Sequence, residues 1–158
     1  MAGAHITVVA VGKLKERFWK DAMAEYAKRL GAFCNFNVRE LPDRDPGRCG
    51  GEAAARELEG ADIVRATGHA HCILLAIDGR VVSSEGIAAR LDALACAGKS
   101  DVAFVVGGST GVSDAVRERA DEVWSFGAIT LPHNLARIVL AEQVYRAFKI
   151  SRGEPYHK

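Results

Sequence analysis

The residues of this 158-residue chain whose types and spacing could do chemistry are densest at its carboxyl end, Ser151-Arg152-Gly153-Glu154-Pro155-Tyr156-His157-Lys158. Pro155 restricts the backbone, Tyr156 offers a face for stacking, and His157 exchanges protons near neutral pH. The plain alternative is a disordered polar stub, for which Ser, Gly and Glu are the usual filler.

A second concentration is Gly107-Gly108-Ser109-Thr110-Gly111, directly after the apolar run Val102 to Val106. Three glycines let the backbone approach a ligand closely and turn N–H groups toward it. The segment lacks the Gly-Lys-Ser/Thr ending of a phosphate-binding loop and the spacing of a dinucleotide fingerprint, so neither ATP nor NAD is indicated. A tight strand-to-helix turn would use the same glycines. The five residues also match G-x-S-x-G, and Asp114 or Asp121 and then His133 or His157 follow in the order of a hydrolase triad. A serine hydrolase is therefore a rival reading, although the chain is short for that fold and no HGGG-type motif precedes the strand.

The stretch Ser125-Phe126-Gly127-Ala128-Ile129-Thr130-Leu131-Pro132-His133-Asn134 stays apolar where a surface loop should be polar. Something must cover it, either another part of the chain or a flat heterocycle that takes its backbone N–H and C=O groups. The helix that follows, Asn134 to Ile150, is apolar over more than half its circumference and needs cover on two sides. Its own sheet would supply one and a second subunit the other, giving a twofold dimer. Glu142 and Arg146 stand at i and i+4 and can pair. Arg137 has no such partner in sequence, which makes it the preferred phosphate or ligand contact of this helix. His69 and His71 beside Cys72 lack a second ligand cluster, so no metal is expected.

These residues need a frame, and the hydrophobic pattern supplies one. The run Ile6 to Val11 reads as a strand, followed by a helix carrying Phe18, Ala22, Tyr26 and Leu30. Asn35 to Leu41 is a second strand, and Pro42 to Gly51 a mobile loop before a helix starting near Glu52. Strands over Cys72 to Ile77, Val102 to Val106 and Val123 to Phe126 alternate with helices over Ser84 to Ala97, Val112 to Ala120 and Asn134 to Ile150. Asn134 is the expected cap of the last helix. Strands that are apolar throughout and alternate with helices imply a single α/β domain, residues 1 to 158, with a mostly parallel sheet sandwiched by helices. Ligands of such sheets sit beyond the carboxyl ends of the strands, here after Ile77, Val106 and Phe126.

Composition sets outer limits. With 49% hydrophobic and 26% charged residues the chain is a globular domain with a proper core. No apolar run approaches a membrane span and no secretion signal opens the chain, so a cytoplasmic protein is expected. Cys34, Cys49, Cys72 and Cys96 form no C-x-x-C pair, as expected of reduced, mostly buried thiols. The net charge of +1 hides an uneven distribution: residues 12 to 31 hold six Lys/Arg against three Asp/Glu, and residues 137 to 158 five against two. A fold that joined the two ends would present a basic face to phosphates, whereas ends kept apart would be ordinary solvated helices.

Taken together, Val9-Ala10-Val11-Gly12-Lys13, Val106-Gly107-Gly108-Ser109-Thr110-Gly111, Ala128-Ile129-Thr130-Leu131-Pro132-His133, Glu142-Gln143-Val144-Tyr145-Arg146-Ala147 and Pro155-Tyr156-His157-Lys158 resemble one family across essentially the whole chain. It is that of the SPOUT, or α/β-knot, methyltransferases, and within it the branch that methylates N3 of a pseudouridine in large-subunit ribosomal RNA. The resemblance implies a C-terminal trefoil knot, an exception to the usual rule against threading. It implies S-adenosylmethionine held by Leu75, Gly107 and the stretch Phe126, Gly127, Ala128, Ile129, Thr130 and Leu131. The family usually has Asp where Ala76 stands, with Asp78 nearby. By the same resemblance the protein is a homodimer acting on ribosomal RNA within an assembled ribosome. His157 would serve as base and Tyr156 would stack on or orient the substrate base, while Arg137, Arg146, Arg152 and Lys158 would hold phosphates. A dimeric RNA-binding module without catalysis is the third reading of the same surface.

Overall fold

The structure is a computed structural model and describes residues 3–156. Five strands form one sheet, β1 (His5–Val11), β2 (Asn35–Leu41), β3 (His71–Val81), β4 (Asp101–Val106) and β5 (Glu122–Ser125), in the spatial order β2-β1-β4-β3-β5. All four strand pairings are parallel. Six helices connect them: α1 (Arg17–Leu30), α2 (Pro46–Cys49), α3 (Glu52–Thr67), α4 (Ser84–Cys96), α5 (Asp114–Arg119) and α6 (His133–Ser151).

The strands are apolar on both faces because both faces are covered. Ile6, Val8 and Ala10 of β1 join Ile73, Phe104 and Trp124 beneath α1, α4 and α6. The alternate residues Val9 and Val11 join Leu74 and Val105 beneath α3 and α5, where Ile63 and Val116 meet them. The two-residue period of a strand thus splits one sequence run between two cores. On the second face α3 and α5 come very close: a Cβ on Gly60 would lie 2.1 Å from Ser113 Oγ, so glycine is required there.

The expected α/β sandwich is the observed fold, with local differences. Phe18, expected on the packed face of α1, is 63% exposed. The packed stripe runs through Trp19 and Met23 before joining the expected Tyr26 and Leu30, so only its first two positions are displaced by one residue. The 42–51 loop contains a turn of helix, α2, whose Asp45 cap accepts from Gly47 N–H at 3.0 Å. α5 starts later than expected because Ser113 caps it, its Oγ accepting from Val116 N–H at 3.4 Å. Asn134 does not cap α6: the helix begins a residue earlier, after Pro132, and Asn134 Oδ1 is buried without a partner. Of the four thiols only Cys72 is buried, and Cys96 is exposed. No helix is long and apolar enough to cross a membrane among the described residues.

α6 does not wait for another subunit to cover its flanks. It lies between α1 and α4, with Leu140, Val144, Ala147 and Phe148 in the core. Gln143 accepts from Ser84 Oγ at 2.6 Å on the α4 side, and Tyr145 meets Tyr26 on the α1 side.

Candidate functional site

At the carboxyl ends of β3 and β5 the sheet opens into a cleft of about 190 Å³. Leu75, Ala76 and Ile77 form one wall, Ser125, Phe126, Gly127, Ile129, Thr130 and Leu131 the other, and Ala136 of α6 closes one end. The first wall comes from an interruption inside β3. Leu75 pairs with Trp124, residues 76 to 79 leave the ladder, and Arg80 pairs with Trp124 again. Gly79 is what lets this detour lie flat, because a Cβ there would stand 2.7 Å from the Trp124 backbone and 2.8 Å from that of Val123.

The second wall is a loop that little holds from within. Gly127 has φ of +121°, a conformation open to glycine, and exchanges hydrogen bonds with Ser125: its N–H donates to Ser125 Oγ at 3.1 Å, and that hydroxyl donates to Gly127 O at 3.0 Å. From Ala128 to Leu131 the backbone N–H and C=O groups make no hydrogen bond among the described residues. Ile129 is 72% exposed. The apolar loop is therefore not covered by another part of the described chain. It combines spare backbone polar groups with the apolar side chains of Ile129 and Leu131 at the cleft wall, the combination a flat heterocycle needs.

Beneath it, β5 is fixed by a polar cluster around Glu122. Its Oε2 lies 2.6 Å from His71 Nε2 and accepts from Arg90 Nε at 2.9 Å, while its Oε1 accepts from Trp124 Nε1 at 3.1 Å. Burial pushes the Glu122 carboxyl up, but these donors outweigh it and hold the group below the ordinary carboxylate range. His71 is thus a structural partner of Glu122. No group of three or more His, Cys, Asp or Glu is placed to hold a metal ion among the described residues.

The 107–111 loop stands next to the cleft. The β3–β4 ladder runs as far as Leu74 opposite Val105, so the turn leaves β4 two residues beyond the last paired position, where β3 also departs into its detour. Gly107 and Ala128 themselves are not among the cleft-lining residues, whereas Leu75, Phe126, Gly127, Ile129, Thr130 and Leu131 are. The glycines answer first to their own chain: a Cβ on Gly107 would meet Val112 Cγ1 at 2.6 Å, and one on Gly108 would meet Val11 Cγ1 at 3.1 Å and Glu59 Oε1 at 3.3 Å. Gly111 takes φ of +83° and its N–H returns to Gly108 O at 3.1 Å, closing a tight turn.

This turn does not build a serine triad. Ser109 is exposed and its hydroxyl makes no hydrogen bond among the described residues. Asp121 sits at the opposite end of the sheet, accepting from Cys72 N–H at 2.8 Å at the start of β3.

The basic residues divide. Arg137 is 1% exposed: its Nη1 donates to Glu40 Oε2 at 2.7 Å and its Nη2 to Gly12 O at 3.2 Å. The expectation of an unpartnered arginine is corrected here, because both terminal nitrogens of Arg137 tie α6 to β1 and β2, and only its Nε is left without a partner among the described residues. Its partner lies 97 residues away in sequence, beyond the reach of any local spacing rule. Arg146 donates to Glu142 at 3.0 Å, the pairing expected from their spacing, and its guanidinium lies 4.7 Å from the centre of the Tyr156 ring. Arg152 is exposed over Phe33 at 4.4 Å. His157 and Lys158 lie outside the described residues.

Tyr156 is docked on its own helix. Its hydroxyl donates to Glu142 Oε1 at 2.9 Å and its ring meets Tyr145 edge-on at 5.0 Å. Burial, then the hydrogen bond to Glu142, pushes its phenol above the usual value, so it stays protonated at neutral pH. Glu142 is six residues from the cleft-lining Ala136, about 120° around the helix. The docked tyrosine therefore lies on the flank of α6 turned away from its own cleft.

Sequence reasoning missed Ile77, Trp124 and Ala136 in the cleft, and the buried acid Glu59 and the half-buried Glu122 behind it. The acids had no local signal beyond their place in otherwise apolar surroundings.

A family model described as "Predicted SPOUT methyltransferase" matches residues 4–157. Three curated relatives bear the name "Ribosomal RNA large subunit methyltransferase H". The one from Listeria monocytogenes serotype 4a (strain HCC23) is 52% identical over 158 residues, spanning 98% of this chain and 99% of its own. The one from Bacillus thuringiensis (strain Al Hakam) is 50% identical, and that from Listeria welshimeri serovar 6b is 49% identical, each over the same shares of the two chains.

Proposed function

Because this chain belongs to the SPOUT methyltransferase family, we propose that it moves a methyl group from S-adenosylmethionine to N3 of a pseudouridine in large-subunit ribosomal RNA. It does so as a cytoplasmic homodimer, on an assembled ribosome, with its C-terminal segment forming the family's trefoil knot. The ribosomal substrate is supported by the printed name of its relatives. The single observation that carries the cofactor reading is the 126–131 loop, with unspent backbone polar groups at the wall of an apolar cleft. An adenine ring fits that donor set: apolar faces for Leu75, Ile77, Phe126 and Leu131, and edges for the free N–H and C=O groups of 128 to 131.

When bound, S-adenosylmethionine supplies a methyl on a sulfonium whose charge is neutralised as the methyl leaves, so alignment matters more than an anion-stabilising pocket. The chain's own work is alignment and proton removal. Ile77, Ile129 and Leu131 shed water from the reacting end, and the glycine turn after β4 stands on the strand next to the one that forms the first wall. The N3–H of the base is a weak acid, and His157, with an ordinary pKa of about 6.5, takes its proton. Tyr156, held neutral, donates or stacks to orient the base. Arg152 and Lys158 hold phosphates, with Arg146 beneath the Tyr156 ring.

The docked position of Tyr156 favours a site shared between subunits. α6 has 19 residues and runs about 28 Å, its amino end at the cleft and its carboxyl end at the tail. A tail leaving the far end, on the flank turned from its own cleft, is better placed to serve the partner's.

The test has two steps. Calorimetry should register S-adenosylmethionine binding by the purified protein, and ribosomes from cells lacking it should accept labelled methyl into large-subunit RNA. A protein that binds no S-adenosylmethionine, or transfers no label, ends the proposal.

A further inference from the structure

The glycine turn beside the cleft is gripped from below by α3, through two side chains three residues apart on one helix face. Arg56 Nε donates to Thr110 O at 2.8 Å. Glu59 accepts from the Thr110 hydroxyl at 3.4 Å through Oε1, and from the Arg44 backbone N–H at 2.9 Å through Oε2. Glu59 is 2% exposed, an acid in the middle of a packed helix face, and no cation forms a salt bridge with it among the described residues. The absence of a side chain at Gly108 is what admits its Oε1 against the turn. One carboxyl thus bridges two loops that meet nowhere else in sequence, 42 to 45 and 107 to 111.

We infer that Glu59 is a positioning residue for the methyl-donor site: by accepting from Thr110 and Arg44 together, its carboxylate seats the 107–111 turn at the end of β4, beside the strand whose Leu75 to Ile77 form one wall of the donor cleft. The inference rests on the reading of that cleft as the S-adenosylmethionine site.

A carboxylate accepts from both donors; once protonated, one oxygen carries a hydrogen, so either the Thr110 contact must reverse its direction or the Arg44 N–H loses its acceptor. The charged groups facing Glu59 are Asp43 and Arg44 from the loop after β2 and Arg56 from its own helix; Arg44 directs its guanidinium to Asp62 at 2.7 Å. Burial, foremost, and Asp43 disfavour its charge, while the Arg44 and Thr110 donors favour it, and the balance leaves the group above the ordinary carboxylate range. Protonation should therefore loosen the turn at mildly acid pH, before exposed carboxylates titrate.

Calorimetric affinity for S-adenosylmethionine, taken from about pH 5 to pH 8, tests this in the full-length dimer with Glu59→Gln, Thr110→Val and the double variant. Wild type should weaken as pH falls. Glu59→Gln should bind roughly threefold to tenfold more weakly at neutral pH, with a flatter pH profile. Thr110→Val, which removes a surface hydroxyl, should reproduce much of that loss, and the double variant should lose no more than the worse single one. The KM for S-adenosylmethionine should rise with kcat little changed, a split that general destabilisation does not produce. Should Glu59→Gln fail to fold, Thr110→Val and the wild-type profile carry the test alone. Wild-type affinity and pH profile in the folded variants, or additive losses in the double, would overturn the inference while leaving the cofactor reading intact. A wild-type protein that binds no S-adenosylmethionine overturns both.

Discussion

The Tyr156 hydroxyl donates to Glu142 Oε1 at 2.9 Å, seating the tail on the very helix that leads into it. The seat is aromatic and charged at once, with Tyr145 edge-on and Arg146 across the ring face. Deleting residues 155 to 158 should abolish methyl transfer and leave S-adenosylmethionine affinity within about twofold, because neither Pro155 nor Tyr156 lines the cleft. Mixed dimers add a sharper result. A protomer lacking its tail, paired with one whose cleft is blocked, should recover about half the activity if tails serve the partner's site. No recovery would mean that each tail serves its own.

Gly127 should be sensitive for a reason unrelated to space. Nothing lies within 4 Å of a Cβ placed on it, yet its φ of +121° strains any L residue. Gly127→Ala should weaken S-adenosylmethionine binding by about tenfold, the equivalent of the 1–2 kcal/mol typical of such backbone strain. The melting temperature should barely move, since the loop contributes little packing. Calorimetry beside a thermal melt separates the two effects, and unchanged affinity would remove Gly127 from the site.

Arg137 belongs to the stability of the molecule. Arg137→Ala would leave Glu40 with only the Leu14 N–H, free Gly12 O of this partner and open a cavity at the root of α6, at a cost of about 2–4 kcal/mol. Urea unfolding measures it, with Arg137→Lys expected between the two. A loss below about 0.5 kcal/mol would show that the pair is energetically idle.

Glu122 should govern part of the acid limb of stability. Its ordinary value is 4.5, and the folded protein holds it lower, burial being outweighed by His71, Trp124 and Arg90. A depressed carboxyl contributes stability that is fully present above its unfolded value and is lost as pH falls through its folded one. Glu122→Gln should cost about 1–3 kcal/mol at neutral pH, and the gap from wild type should narrow below about pH 4.5. Urea unfolding at several pH values reads this directly; a gap that stays constant into acid would assign the loss to packing alone.

Local pattern carried much of the frame. β2 was legible to the residue because Pro42 and Asp43 mark its end, and the two-faced burial of β1 follows from an apolar run too continuous for a half-exposed strand. β3 was read as ending at Ile77 because Asp78 and Gly79 look like a turn, whereas the strand resumes beside the same neighbour. Phe18 was misplaced since spacings of four fit two adjacent stripes of α1, and only the sheet chooses between them. In the site, the apolar loop after β5 announced itself by lacking the polarity of a surface connection. The partners of Arg137, Glu59 and Glu122 did not, because the segments that supply them meet only after the chain has folded.

The detour in β3 gives the cleft two jaws of unlike character. One is braced at both feet by Trp124, and its Gly79 leaves no room for a wedge beneath; the other, from Ala128 to Leu131, is tied to nothing of its own. An analogue carrying extra bulk toward Ile77 meets an anvil, while the same bulk turned toward Ile129 meets a hem that can be let out. Inhibitor series built on this scaffold should therefore tolerate growth in one direction and reject it in the other.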